Sequence, residues 1–400
     1  MKVLQINNLY KSGSTGKITY DLHNELIKRG IDSIVCYGRG LKTTEKNVYK
    51  TCPEWYSKLN NAWSRVTGVM YGGLRFSTNK LISIIKKEKP DVVHLQCING
   101  YFVNIYRLIA WLKKSEIKTV LTLHAEFMHT ANCGHSFECD KWKKGCGKCP
   151  RLKQETKSLF FDGTHRSWTK MKNAFEGFDN LIVASVSPWL MERAKQSPIL
   201  ADKEHCVVLN GLDTNIFRLY ETEPLRKKHG LTNEKVVFHA TPMFNNEPNH
   251  IKGGYYVLQM AEKMKDQNVK FFVAGPHVES LDVPENVILL GRITDQALLA
   301  QYYSMADVTL LTSKKETFSM ICAESLSCGT PMVGFKAGAP EQITLPEYGK
   351  FVEYGDIEAL SFELMKALTN DYDRKILEEK AHKAYNKVNM LEAYINIYKA

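Results

Sequence analysis

The sequence predicts an α/β protein of two doubly wound halves, each a parallel sheet flanked by helices. Three observations carry this. Short apolar strands alternate with helix-length segments along nearly the whole chain, the pattern of βαβ units. The order restarts after a turn-rich crossing at Val207-Val-Leu-Asn-Gly-Leu-Asp-Thr-Asn-Ile-Phe217. And 400 residues exceed one comfortable hydrophobic core, so two domains are expected.

In the first half, Val3–Ile6, Ser33–Tyr37, Val92–Gln96, Thr119–Leu123 and Leu181–Ser185 read as strands. Tyr20–Arg29, Lys80–Lys87 and Tyr106–Lys114 read as helices between them, and Pro90-Asp91 marks a helix-to-strand entry. In the second half, Val236–Ala240, Lys270–Ala274, Val287–Leu290, Val308–Thr312 and Met332–Phe335 are strands separated by helix-length segments. The expected boundaries are 1–206 for the first domain, 207–375 for the second, and a C-terminal helical segment, 376–400, that can pack back on the first. The whole tail from Tyr372 to Tyr398 reads as one long helical pattern with a polar face.

The densest chemistry lies in Lys315-Glu-Thr-Phe-Ser-Met-Ile-Cys-Ala-Glu324, leading into Ser-Leu-Ser-Cys-Gly-Thr-Pro-Met-Val-Gly334. It follows the strand Val308–Thr312, starts a helix through Met320, Ile321, Ala323 and Leu326, and stops at Gly329 and Pro331. Ligands bind at such a strand end, where free N–H groups and the helix dipole face an anion. Glu316 suits neutral sugar hydroxyls, and Glu324, two turns on, those of a ribose. This is nucleotide-sugar chemistry with no metal required. Lys11-Ser-Gly13-Ser-Thr-Gly16-Lys17-Ile18 is not an ATP-binding P-loop, since Lys11 stands where its first glycine belongs and Ile18 replaces Ser/Thr.

The segment Glu316 to Val333 resembles the paired-glutamate signature of glycosyltransferase family 4, retaining enzymes of the GT-B fold. Supporting motifs run along the chain in order: Gly13-Ser-Thr-Gly16-Lys, Pro90-Asp-Val-Val-His94, Thr122-Leu-His124, Val186-Ser-Pro-Trp-Leu190, Leu209-Asn-Gly-Leu-Asp and Lys252-Gly253-Gly254. Cys133 to Pro150 is similar to a subgroup that builds surface polysaccharides of the colanic-acid, capsule and O-antigen type. The resemblance implies a hexosyltransferase that takes its sugar from a UDP- or GDP-sugar and retains anomeric configuration without a catalytic metal. The acceptor would be a lipid-linked saccharide. It places Glu316 and His124 by the donor sugar, Glu324 on the ribose, and Lys252 on the diphosphate. The N–H groups of Phe318, Ser319 and Met320 would meet sugar and distal phosphate, with Gly16 giving close backbone approach. His94 reads as a packed strand residue. The family's usual arginine after the second domain's first strand is absent from His239-Ala-Thr-Pro-Met-Phe-Asn-Asn-Glu-Pro-Asn-His250, leaving Lys252 alone or helped by His250, Arg292 or a first-domain cation.

Charge divides the halves. Residues 1–218 hold 34 Lys+Arg against 19 Asp+Glu, while 219–400 hold 20 against 24. A basic first half suggests an anionic partner. Trp55, Tyr56, Trp63, Arg65, Arg75, Lys80 and Tyr101 mix rings with cations in the manner of a face that meets anionic lipid. The amino terminus reads as a strand with no apolar signal segment, so a cytoplasmic protein, peripheral on the inner membrane face, is expected.

Four of the ten cysteines cluster as Cys133, Cys139, Cys146 and Cys149. In a cytoplasmic chain they suggest a structural zinc, with disulfides or free thiols as alternatives. Two rival functions remain. A sugar-nucleotide epimerase of the same fold would share the donor site, whereas a nucleic-acid module built on a zinc knuckle would leave the paired glutamates without purpose. No nucleic-acid partner is therefore expected.

Overall fold

A computed structural model describes residues 1–400. The chain forms two compact units, Met1–Leu209 with Leu391–Ala400, and Asn210–Met390. In the first unit β1 (Lys2–Asn7), α1 (Gly13–Lys28), β2 (Asp32–Tyr37) and β3 (Val48–Lys50) come first. Then follow α2 (Glu54–Thr67), α3 (Phe76–Glu88), β4 (Val92–Leu95), α4 (Ile105–Ser115) and β5 (Lys118–Leu123). The single-turn helices α5 (Phe127–Thr130) and α6 (Leu152–Glu155) lead to α7 (Thr164–Phe175), β6 (Leu181–Ser185), α8 (Pro188–Lys195) and β7 (Glu204–Val207).

The second unit opens with α9 (Glu223–Lys228), β8 (Lys235–Ala240), α10 (Gly254–Lys263), β9 (Val269–Ala274) and β10 (Val287–Gly291). It continues through α11 (Gln296–Met305), β11 (Val308–Leu311), α12 (Met320–Ser327), β12 (Met332–Phe335), α13 (Pro340–Ile343) and β13 (Gly349–Val352). The chain ends in α14 (Ile357–Thr369), α15 (Arg374–Tyr385) and α16 (Lys387–Lys399).

All strand pairs are parallel. The sheet orders are β3-β2-β1-β4-β5-β6-β7 and β10-β9-β8-β11-β12-β13. Each is a doubly wound sheet whose order reverses beside its first strand, and a ligand crevice opens there at the strands' carboxyl ends. The central strands are buried along almost their whole length because helices cover both faces. In the second unit Val237, Phe271, Val308 and Val333 from the sheet pack with Val257, Leu360 and Leu364 from α10 and α14.

Several expectations are corrected. α1 begins at Gly13, seven residues before the expected start at Tyr20, because Gly13 adopts φ +69° and Gly16 lies tight on Leu9. The edge strands β3, β7 and β13 and helices α2, α7 and α8 were not foreseen; the three strands are short and only partly buried. The tail is two helices, parted at Asn386, which is extended and caps α16 by accepting from the Val388 N–H at 2.9 Å. The break fits against Gly211, where any Cβ would lie 2.4 Å from the Lys387 Cα. The units divide after Leu209, and only the last ten residues, not 376–400, group with the first.

The end of α16 fixes His94, which is wholly buried on β4. Its Nδ1 lies 2.7 Å from the Tyr398 hydroxyl and its Nε2 2.7 Å from Thr122 Oγ1, a packed strand residue as expected. Burial, with nearby His124, lowers its pKa to about 3, whereas an unfolded histidine ionises near ~6.5. As pH falls below ~6.5 the unfolded chain takes up a proton that the folded chain refuses, and stability is lost down to about 3. Urea unfolding at about pH 7 and about pH 5 is expected to differ by about 2 kcal/mol from this residue alone, and His94→Gln should shrink the difference by that amount.

Candidate active site

In the second unit, the loops leaving β8 and β11 meet at the switch point of the sheet. Lys314 N–H donates to the Ile251 carbonyl at 2.8 Å, and Thr312 Oγ1 donates to the Lys252 carbonyl at 3.2 Å. Gly253 makes this contact possible: it has φ +66°, and a Cβ there would fall 2.1 Å from the Thr312 carbonyl oxygen. Lys252 is thereby delivered to Glu316, with Nζ 2.6 Å from Oε1. The pair is mostly shielded, at 24% and 14% side-chain exposure. Glu316 is held from behind, its N–H donating to Ala337 O at 2.9 Å and its carbonyl accepting from Ala339 N at 3.2 Å.

Three residues on, the chain turns sharply. Ser319 has φ 78° and ψ 92°, a backbone state costing a non-glycine residue about 1–3 kcal/mol and common where function requires it. α12 then starts with no side-chain cap and no acidic residue in its first turn. Its first N–H groups lack intrahelical acceptors, so this end suits an anion. Phe318 anchors the turn by burying its ring, 6.5 Å from that of Tyr385.

Beside the turn lies an open cavity of about 420 Å³, lined by Thr241, Gly275, Pro276, Arg292, Met320 and Glu324 among others. Glu324 accepts from the buried Tyr303 hydroxyl at 3.0 Å. Burial, and then the Glu324 charge, push the Tyr303 phenol well above its usual range, so it remains a hydrogen-bond donor that orients the carboxylate. His239, at the end of β8, donates from Nδ1 to the Leu310 carbonyl at 2.9 Å, and burial lowers its pKa to about 4. It is neutral beneath Lys252, so it does not compete for an anion.

The second unit therefore brings together Glu316, Lys252, Phe318, Ser319, Met320 and Glu324. Arg292 enters the Glu324 cavity, while His250 is used locally, its Nδ1 accepting from the Lys252 N–H at 3.4 Å. The sequence reading missed Tyr303 and the wall at Thr241 and Gly275. The available signal was Gly275-Pro276 directly after an apolar strand: a Cβ at Gly275 would lie 2.2 Å from the Thr241 carbonyl oxygen.

Gly16 and His124 belong to the first unit. Gly16 sits in the first turn of α1, and its missing side chain makes room for Leu9, whose backbone would stand 3.3 Å from a Cβ. The close approach there is this packing contact with Leu9. His124 ends β5 with Nε2 2.8 Å from Gln96 Oε1; the amide oxygen can only accept, so Nε2 carries the proton. Desolvation lowers its pKa to about 4, leaving a neutral imidazole at physiological pH.

Cys133, Cys139, Cys146 and Cys149 line one small cavity of about 20 Å³ and form no disulfide. That volume suits one water-sized guest. Burial, then neighbouring charges that include the other sulfurs, push Cys133 upward and Cys146 up to about 12. No three histidine, cysteine or acidic side chains stand in a group ready to hold a metal ion.

Two Rossmann-like units, with a lysine–glutamate pair and a second glutamate at the switch point of one sheet, define a GT-B glycosyltransferase. The chain belongs to glycosyltransferase family 4: the family model "Glycosyltransferase Family 4" matches residues 15–215, just over half of the chain, and "Glycosyl transferases group 1" matches 222–384. Escherichia coli K12 WcaC, assigned as a colanic acid biosynthesis glycosyl transferase, is 23% identical, covering 100% of this chain and 99% of that one. An uncharacterised 41.2 kDa protein in the cps region of Klebsiella pneumoniae is 22% identical over 94% of this chain and 98% of its own. Among solved structures, Anabaena Alr3699/HepE in complex with UDP and glucose superposes with TM-score 0.64 at 15% identity, with 100% of both chains covered. A Rickettsia africae glycosyltransferase gives TM-score 0.67 at 15% identity, covering 100% of this chain and 97% of that one. The epimerase alternative finds no support among them.

Proposed function

We propose that the chain is a retaining, metal-independent hexosyltransferase of surface polysaccharide biosynthesis, such as capsule or O-antigen, using a UDP- or GDP-sugar and a lipid-linked saccharide acceptor. The observation that carries this is the Lys252–Glu316 pair set beside the Glu324 cavity at the start of α12. The likeness to WcaC and to the cps-region protein supports the polysaccharide setting, and the HepE complex supports a nucleotide-sugar donor. In this reading Glu324 holds the ribose, with Arg292 replacing the family's missing arginine near the nucleotide. Lys252 and the α12 N–H groups hold the diphosphate, and Glu316 holds the sugar. The bond from the anomeric carbon to the phosphate oxygen breaks as the acceptor oxygen attacks from the same face. The leaving phosphate oxygen takes the acceptor's proton, so the protein supplies position and charge rather than a nucleophile. No helix is long and apolar enough to cross a membrane, which fits a peripheral enzyme at the inner surface.

A thermal-shift series with nucleoside diphosphates tests the donor site. At about 100 times its Kd the correct one should stabilise the fold by about 2.7 kcal/mol, and Glu324→Gln should reduce this gain. An unchanged unfolding midpoint with every nucleoside diphosphate would sink the reading.

A structural zinc on Cys133, Cys139, Cys146 and Cys149 belongs to the same proposal, supported by four unpaired thiols around one small cavity. The thiols would draw in around the ion and staple the loop. Metal analysis should find about one equivalent, and a chelator should lower the unfolding midpoint; less than about half an equivalent argues for free thiols.

A further inference from the structure

Helix α2 is inside out. The side chains it buries are Tyr56, Ser57, Asn60 and Ser64, whereas Trp55, Leu59, Trp63 and Val66 point outward at 45–64% exposure. A helix of a globular protein ordinarily does the reverse. Of the seven residues expected from the sequence to form an interfacial face, Trp55, Trp63, Arg65, Arg75 and Lys80 are exposed. Tyr56 is instead buried, and Tyr101 is stacked on Tyr71 with ring centroids 5.0 Å apart.

The outward stripe is extended by two neighbouring segments. Leu74 and Phe76 are 48% and 66% exposed, and the Leu74 N–H donates to Asn60 Oδ1 of α2 at 2.8 Å. Leu159, Phe160 and Phe161 are 54–71% exposed, and the Leu159 N–H donates to the Arg65 carbonyl at the end of α2 at 2.7 Å. Nine of the chain's seventeen exposed large apolar side chains lie in these three segments, so the exposure is concentrated rather than scattered.

The residues alternating with Leu74 and Phe76 turn the other way. Gly73 and Arg75 line an open cavity of about 680 Å³ that also takes in Arg107 and Lys114 of α4 and Lys170 of α7. No carboxylate lines it. Arg107 is spent on an amide, Nε donating to Asn79 Oδ1 at 2.9 Å, and the Lys170 ammonium stands over the Tyr106 ring, 5.7 Å from its centroid. Uncompensated cations walled by Tyr106, Trp111 and Ile82 suit an anion joined to an apolar body.

We propose that this cavity takes the phosphate or diphosphate head group of a membrane lipid while the outward stripe of α2, with Leu74 and Phe76, lies in the lipid interface. The apolar rim, continuous with the cationic cavity, selects a lipid over a second copy of this basic chain, which would bring like charge against the cavity. The proposal rests on the reading of the protein as a transferase acting on a lipid-linked acceptor, and it names where the lipid is held.

The test is sedimentation of the full chain with vesicles of phosphatidylcholine alone, and of phosphatidylcholine with phosphatidylglycerol in equal parts. The wild type should bind the anionic vesicles preferentially. Arg75→Glu with Lys170→Glu should weaken that binding by about 25-fold or more, given about fivefold per cation. Trp63→Asp should weaken it by about tenfold through lost apolar insertion, with the unfolding midpoint of each variant kept near wild type as the control on folding. The proposal is overturned if the wild type stays in solution with both vesicles, or if the variants bind them equally well. It is also overturned if inorganic pyrophosphate, but no vesicle, binds in an Arg75- and Lys170-dependent way, or if Trp63→Asp splits a dimer and leaves vesicle binding intact. Nucleoside diphosphate binding, measured alongside, separates the two readings. Donor binding without vesicle binding defeats the docking proposal alone, and vesicle binding without donor binding defeats the transferase reading alone.

Discussion

Lys252→Ala is expected to lower kcat by about 10²–10³-fold, the loss that follows removal of one preorganised group facing charge that develops in the transition state. As the glycosidic bond breaks, negative charge grows on the leaving diphosphate, so a fixed cation stabilises the transition state more than the bound donor. Lys252 is fixed before any donor arrives: its loop is clamped to the β11 loop through Ile251, Thr312 and Gly253, and its ammonium already rests 2.6 Å from Glu316. Nucleoside diphosphate affinity should fall as well. Lys252→Arg is expected to rescue only in part, since a planar guanidinium does not reproduce a compact point charge in this loop. Initial rates at saturating donor, with an unfolding midpoint to confirm the fold, decide the matter; turnover within a few-fold of wild type would remove Lys252 from the site.

Glu316→Gln should produce a comparable loss in turnover, about 10²-fold, with the opposite effect on the product nucleotide. The amide keeps the size of the carboxylate but presents an NH2 group where a sugar hydroxyl needs an acceptor. It also releases Lys252 from its ion pair, so nucleoside diphosphate affinity should hold or rise while transfer falls. That contrast in sign separates a residue that positions sugar from one that binds phosphate. The double variant should lose less than the sum of the two in free-energy terms, because two groups in contact act as a unit. Equal losses of diphosphate affinity in both single variants would show that Glu316 does no more than hold Lys252 in place.

Much of this was legible in the chain. Strands such as Leu181–Ser185 and Met332–Phe335 are nearly uninterrupted apolar runs bounded by turn residues, since a strand covered on both faces has no solvent side to encode. The turn into α12 was legible for a different reason. Glu316 and Glu324 flank a glycine-free stretch that starts a helix at a strand end, a local arrangement needing no distant partner to be recognised.

What escaped was set by distant partners. The three-residue strand β3 joins the sheet only through Val35, Cys36 and Tyr37 of β2. α2 defeats a periodicity argument because Trp55, Leu59, Trp63 and Val66 face outward while Ser57, Asn60 and Ser64 are buried. The first turn of α1 read as a glycine-rich loop before the helix, because the packing of Gly16 on Leu9 is not visible in the chain. The tail read as one helix because Asn386 is an unremarkable residue until Gly211 and Leu212 pass against it.

The sequence by itself determined the two doubly wound halves, the strand end that carries the paired glutamates, and the family. Hydrophobic periodicity and short-range turn chemistry are properties of neighbouring residues, and they survive without a third dimension. Only the tertiary structure decided that Lys252, sixty-four positions away, forms an ion pair with Glu316, that Tyr303 orients Glu324, and that Arg292 shares the Glu324 cavity. Those relations arise from which strands lie side by side in the sheet, and adjacency of that kind is written in packing rather than in spacing along the chain.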